Sequence, residues 1–289
     1  MKNRREDERL LGVTGTRRLL MGLLLALGVM LTQPVMATGP APVSLGSCSK
    51  FAILGATAVS TDGGAGIING DVGLSPGEGS SITVLTAANV NGTIYTTSAG
   101  GPAGEVVDAA LLSTAQDDLT TAYLDAQGRT DGQVTMPGDI GGQTLTNGLY
   151  WSGSTLEITG DLILDALGDP NAVWIFQVSS ALTTAAGPGV SRVILANGAR
   201  ASNVFWQVDT ATLGSYSVFK GTIMAQISIT MGVGSSMEGR ALARTGAVTF
   251  NNTGSPVGTN GLPKSTQSIT NLMPTNGASF AQTNLVGLS

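Results

Sequence analysis

The chain has 289 residues, a formal charge of −5, only 11% charged residues, one cysteine and no histidine. Without imidazoles there is no Ser-His-Asp or Cys-His machinery, no His-based zinc site and no use of the commonest general base, and one cysteine excludes an intramolecular disulfide. An acidic, charge-poor chain is unsuited to nucleic acid or an anionic membrane surface, and its length fits one domain behind an export signal.

Residues 1–37 read as that signal: Arg4, Arg5, Arg9, Arg17 and Arg18 form a basic start, residues 19–31 an apolar run too short to span comfortably, and Val35-Met36-Ala37 a small-residue cleavage site. An uncleaved anchor is the alternative, and Arg17-Arg18 is also compatible with twin-arginine export. Cleavage removes six Lys/Arg and three Asp/Glu, leaving eight against sixteen and a charge of −8. Cys48 sits in Leu45-Gly46-Ser47-Cys48, superficially a lipoprotein acceptor site. It lies well beyond the apolar run, with strand-like Phe51-Ala52-Ile53-Leu54 directly after it, so a buried thiol is expected.

Short β-type runs cover residues 51–61, 67–69 and 72–74, separated by Gly-rich turns. Thr57, Val59 and Thr61 are expected to share one face. Residues 86–104 read as an irregular loop or small cap. The period then changes to 3.6: Val107, Leu111, Ala115, Leu119, Ala122, Tyr123 and Ala126 form one stripe of a helix over residues 105–127, with Glu105 and Asp108 at its N-terminal end and Gly128-Arg129 stopping it. At about 1.5 Å per residue it measures about 33 Å, enough to lie along six stacked coils of about 29 Å.

From Val134 strands resume, and Trp151, Trp174 and Trp206 recur with them, which predicts core packing. The pairs Gly70-Asp71, Gly138-Asp139 and Gly160-Asp161 lack the spacing of a calcium loop and read as turn caps. No metal or cofactor is expected.

Between Val204 and Pro256 a phrase of about eighteen residues repeats. Residues 204–208 align with 222–226 and 240–244, each followed by a second short strand and, in most copies, a Gly-bearing turn, the pattern of a β-solenoid. In the second strands Ala211 and Leu213, Ile229 and Met231, Val248 and Phe250 point inward. Thr210, Thr212 and Gly214, Ser228, Thr230 and Gly232, Ala247, Thr249 and Asn251 point outward. Upstream, Thr183 takes the middle outward place in one copy, and Glu157, between Thr155 and Thr159, in another. The candidate surface is thus Thr57, Thr61, Thr155, Thr159, Thr183, Thr210, Thr212, Ser228, Thr230, Ala247 and Thr249: small, Thr-rich and nearly free of charge. Residues 256–289, rich in Ser, Thr, Asn and Gly, read as a C-terminal tail after a domain over 38–255.

Several phrases together resemble the secreted microbial ice-binding (antifreeze) proteins: Leu45-Gly46-Ser47 with Phe51-Ala52-Ile53-Leu54, Ile68-Asn69-Gly70-Asp71-Val72-Gly73-Leu74-Ser75-Pro76-Gly77, Val173-Trp174-Ile175-Phe176-Gln177, Asn203-Val204-Phe205-Trp206-Gln207 and Glu238-Gly239-Arg240-Ala241-Leu242-Ala243. The resemblance spans about residues 44–255. It implies a mainly β fold: a right-handed parallel β-helix of triangular section, discontinuous, with one long α-helix alongside. It also implies an extracellular protein whose partner is an ice crystal surface with its ordered water, held by one flat Thr-rich face; a monomer is expected. The Thr ladder is the candidate for that face; Glu157 departs from the pattern, and so does the short 86–104 segment. Two other readings remain at this stage. A polysaccharide-holding adhesin would need exposed aromatic platforms. A β-helix lyase or hydrolase would need clustered carboxylates, whereas Asp209, Lys220, Glu238, Arg240 and Arg244 fall mostly at turns.

Overall fold

Period-two alternation broken by glycine every few residues dictates short strands joined at corners, and each strand must find its partners in neighbouring coils. The computed structural model describes residues 39–61, 67–250 and 268–270. Residues 1–38, most of them read above as an export signal, Asn251 and most of the C-terminal segment lie outside them.

In chain order the strands are β1 (Phe51–Gly55), β2 (Val59–Thr61), β3 (Ile67–Asn69), β4 (Asp71–Leu74), β5 (Ile82–Thr83), β6 (Val90–Asn91), β7 (Ile94–Thr96) and β8 (Val106–Val107). After helix α1 (Ala109–Gly128) come β9 (Gln133–Thr135), β10 (Thr144–Leu145), β11 (Gly148–Ser152), β12 (Leu156–Ile158), β13 (Asp161–Asp165), β14 (Trp174–Val178), β15 (Ala181–Thr184) and β16 (Arg192–Ala196). The last are β17 (Val204–Val208), β18 (Thr210–Leu213), β19 (Val218–Ala225), β20 (Ile229–Met231), β21 (Ser236–Ala243), β22 (Val248–Phe250) and β23 (Ser268–Thr270).

These strands build the three faces of a parallel β-helix of triangular section, whose right hand is the one parallel crossovers take. The first face runs β8-β7-β4-β1-β21-β19-β17-β14-β11-β9 and the second β12-β15-β18-β20-β22-β2-β5. The third runs β10-β13-β16 to the first halves of β19 and β21, then β23-β3-β6. β19 and β21 each turn the corner between the third and first faces. The stack is discontinuous: β1 pairs with β21, and β2 with β22, although about 190 residues separate the partners. β23, inside the segment read as a tail, lies between β21 and β3 and fills the third-face place that would precede β1 in its coil.

The helix carries the chain from β8 at one end of the first face to β9 at the other. It begins at Ala109, four residues later than expected, because the Asp108 side chain accepts the Leu111 N–H at 2.9 Å and so stands outside the helix as its cap. Val107 is therefore a strand residue, 52% exposed, and the buried stripe is Leu112, Ala115, Leu119, Ala122, Tyr123 and Ala126, with Leu111 only partly covered. This stripe packs on Phe51, Leu54, Ile175, Phe205, Met224 and Leu242, the outward residues of the first face. Polar links fix the helix along its length: Gln116 Nε2 donates to Ser75 O (2.9 Å), Asp118 accepts from Ser47 N (2.7 Å) and Ser47 Oγ (2.6 Å), and Gln177 Nε2 donates to Ala126 O (2.7 Å). Under this layer Cys48 is fully buried with Sγ 2.8 Å from Leu45 O. Burial pushes its pKa up to about 12, so the thiol is inert at physiological pH.

Three other expectations are corrected. Residues 86–104 are no simple loop, since β6 and β7 add rungs with Val90 and Ile94 inward; strands this short, set among Asn and Gly, conceal their period. Phe205, not Val204, stands opposite Thr222, because the corner after β17 is shorter than the corner after β19. Trp174 and Trp206 are in the core, where Tyr150, Phe176 and Trp206 stack at centroid distances of 5.4 and 3.8 Å and Phe219 packs tilted on Trp206 at 5.1 Å. Trp151 alternates to the outer side and is half-buried.

At the turning points of β19 and β21, Gly221 and Gly239 lie directly opposite, and a Cβ on Gly239 would sit 1.8 Å from Gly221 O. Gly239→Ala is expected to lower stability by at least about 1 kcal/mol. Gly128→Ala, where the added carbon meets open space at the helix end, is expected to be neutral or mildly stabilising. Denaturant titration of the two variants checks the contrast.

Candidate functional site

The second face is a seven-strand parallel sheet with its inner side apolar and buried. Leu156, Leu182, Ala211, Ile229, Val248, Val59 and Ile82 form one buried row across it. Because side chains alternate, fixing this row inward fixes the next residue of every strand outward. The outward middle row reads Glu157, Thr183, Thr212, Thr230, Thr249, Ser60, Thr83. Continuing the register by one residue gives a flanking row of Thr155, Ala181, Thr210, Ser228, Ala247, Ala58 and Ser81. On the other flank stand Thr159, Ala185, Gly214 and Gly232. Neighbouring rungs are about 4.8 Å apart and alternate residues along a strand about 6.7 Å. Ser60 Oγ donates to Thr249 Oγ1 at 3.3 Å, tying adjacent rungs of the middle row.

Two expected members fall elsewhere. Thr57 is exposed at the corner between β1 and β2, its N–H donating to Gly246 O at 3.2 Å. Thr61 stands in the second inward row with Phe250 and Met231 and is half-buried. The cause is the phase of β2, which the buried Val59 sets, so Ser60 rather than Thr57 or Thr61 faces out. Ser60 and Thr83 were missed. Aligning Ala58-Val59-Ser60-Thr61 with Ala247-Val248-Thr249-Phe250 would have found Ser60.

Glu157 is the one charged residue on the seven strands and lies at their end. Beyond it Asp139 bridges to Glu157, and the Asp139 carboxylate accepts from Gly141 N (2.8 Å), Thr159 N (3.2 Å) and the Thr159 hydroxyl. Thr159 therefore spends its hydroxyl within the protein. Partial burial alone would raise the Asp139 pKa, but the Thr159 and Gly141 hydrogen bonds outweigh it and hold the carboxyl below its ordinary range.

The other faces differ. The first is covered by α1. The third carries the ion pairs Asp161–Arg192 (2.5 Å) and Lys220–Glu238 (2.6 Å). The other turn aspartate, Asp71, accepts from Thr93 N and pairs with Lys50 at 2.8 Å. No group of His, Cys, Asp and Glu suited to a metal ion occurs among the described residues. A surface of this kind has hydroxyls, methyls and a lattice-like spacing, and no reactive group.

Comparison with known proteins gives a consistent result. The family described as Ice-binding-like matches residues 53–255. An ice-binding protein of Flavobacterium frigoris is 44% identical over 211 residues, 72% of this chain and 74% of its own. One from a Colwellia species is 35% identical, covering 83% and 93%. Among solved structures, an ice-binding protein from an Antarctic biological consortium is 39% identical with a TM-score of 0.63, covering 82% of this chain and 95% of that one.

Asp139 also gives the site a pH signature. Its folded pKa lies below the unfolded value of about 3.9, so the native state binds fewer protons across that interval. Its contribution to stability is present above about pH 4 and is lost as the pH falls through the depressed folded value. Asp139→Asn is expected to lower the thermal midpoint at neutral pH, with the difference from the parent closing in acid. Calorimetry across that range checks it.

Proposed function

Because the chain belongs to the Ice-binding-like family, we propose that it holds ice through the seven-strand face, centred on Thr183, Thr212, Thr230 and Thr249. The carrying observation is the register that places these four, with Ser60 and Thr83, in one outward row. Ice presents a periodic array of water with no chemical handle, so a binder must offer a rigid, flat surface on a compatible spacing. The ladder hydrogen bonds fix the rung spacing, and the buried apolar inner row fixes the plane.

Threonine suits this task because its β-branch restricts χ1, so methyl and hydroxyl are largely positioned before contact and little rotamer entropy is lost on adsorption. In this mechanism the methyls order the adjacent water and the hydroxyls anchor it into an ice-like layer that merges with the crystal. The front then grows only between adsorbed molecules, where its curvature raises the cost of adding water, and recrystallisation slows for the same reason. Ala181, Ala247, Gly214 and Gly232 keep the flanking rows low. Glu157 is strongly hydrated and limits the contact at one end.

The segment 1–37 makes export the reading for location, with a single domain acting as a monomer. We assign no catalytic role, in keeping with relatives that are named ice-binding proteins.

Thr212→Tyr and Thr230→Tyr are expected to reduce thermal hysteresis several-fold with little change in stability, while Thr144→Tyr on the third face leaves it unchanged. Hysteresis and recrystallisation assays on matched samples decide; equal activity in all three would move the site off this face. Glu157→Thr, which continues the row by one rung, is expected to raise hysteresis.

A further inference from the structure

Beside the C-terminal end of α1 a cleft of about 180 Å³ opens among Tyr123, Gln127, Trp151, Gln177, Gln207 and Asp209. Its floor is two glutamines, each 3% exposed. Both are used within the protein: Gln177 Nε2 donates to Ala126 O (2.7 Å) and Arg129 O (2.8 Å), its Oε1 accepts from Gln133, and Gln207 bonds Tyr123. Arg129, also at the cleft, is paired with Asp125 at 2.6 Å and with backbone carbonyls. The cleft is therefore rigid, and it leaves uncommitted the Trp151 indole and the Asp209 carboxylate, which makes no hydrogen bond or ion pair among the described residues. The hydroxyls of Thr130 and Ser179 add further polar groups to the lining.

We propose that this cleft binds one neutral pyranose ring of a polysaccharide. A hexose has a C–H face that packs on an indole and vicinal hydroxyls that a carboxylate can accept from in pairs. The cleft, at about 180 Å³, is on the scale of one ring and not of a chain, so a terminal or side-branch sugar is the fitting ligand. An anion is disfavoured by Asp209. Asp209 lies at the corner between β17 and β18, directly before Thr210, so the cleft borders the flanking row of the second face and a single ring held here need not cover the middle row. The protein could then be tethered to a polysaccharide and to a crystal at once.

The test uses tryptophan fluorescence of the purified protein, because Trp174 and Trp206 are fully buried and Trp151 is the indole within reach of a ligand. Glucose, galactose, mannose and N-acetylglucosamine are titrated, with glycerol and tetramethylammonium as controls. The expected result is a saturable shift with at least one hexose and none with either control. Asp209→Asn, at a surface corner, should weaken that affinity about tenfold, the loss of one charge-assisted hydrogen bond. Trp151→Ala should abolish binding as followed by calorimetry. Thr212→Tyr should leave it intact, which separates this site from the ice face. The proposal is overturned by a linear or absent response to every sugar, by saturation with tetramethylammonium in place of sugars, or by hexose binding that survives Asp209→Asn unchanged.

Discussion

Everything in this molecule depends on parallel strand pairing held in register around three corners. The inward residues choose the phase of each strand, and the ladder hydrogen bonds then set the distance between rungs. Sequence length per coil is not constant: Phe205 pairs with Thr222, Thr212 with Thr230 and Thr230 with Thr249, spacings of 17, 18 and 19 residues. The corners take up those differences, so the outward rows of the second face stay straight although the repeat is irregular. Corner length can vary in this fold without disturbing the strand rows.

The same pairing creates a difficulty at the ends and on the first face, where apolar side chains point out of the barrel as well as into it. Helix α1 resolves the latter by burying Phe51, Leu54, Phe205 and Leu242 under its own stripe. The Ser47–Asp118 and Gln177–Ala126 links hold the N-terminal turn and the helix end in place. The first face is therefore occupied by the protein itself, the third carries ion pairs, and the second is left bare and uncharged along most of its length.

Much of this was legible in the sequence because two signals were strong: apolar residues two apart in strands and three or four apart in the helix. The outward places of Thr183, Thr212, Thr230 and Thr249 followed from that alternation, as did the buried Ala211, Ile229 and Val248. The misses came where a single residue set the phase. Thr57 and Thr61 alternate with the right period to face out, but the buried Val59 between them anchors its strand with the opposite phase. The start of α1 was placed too early because Asp108 can extend a helical pattern in sequence but ends it when its side chain takes a backbone amide. Short rungs such as β6, and the isolated β23, carry too few residues to show any period. Trp151 is a different case: it shares its residue type with two core indoles, and only the parity of its position in β11 turns it outward.

The discontinuous stack has a consequence for how the chain can be made. Ile53 finds its ladder partner at Ala241, and β3 finds one of its partners at β23. While the ribosome is still short of those residues, the first coils have one edge without its neighbour, and the central seam cannot close. Loop closure over such separations is slow. The seam between β1 and β21 therefore closes only after nearly the whole domain has been made.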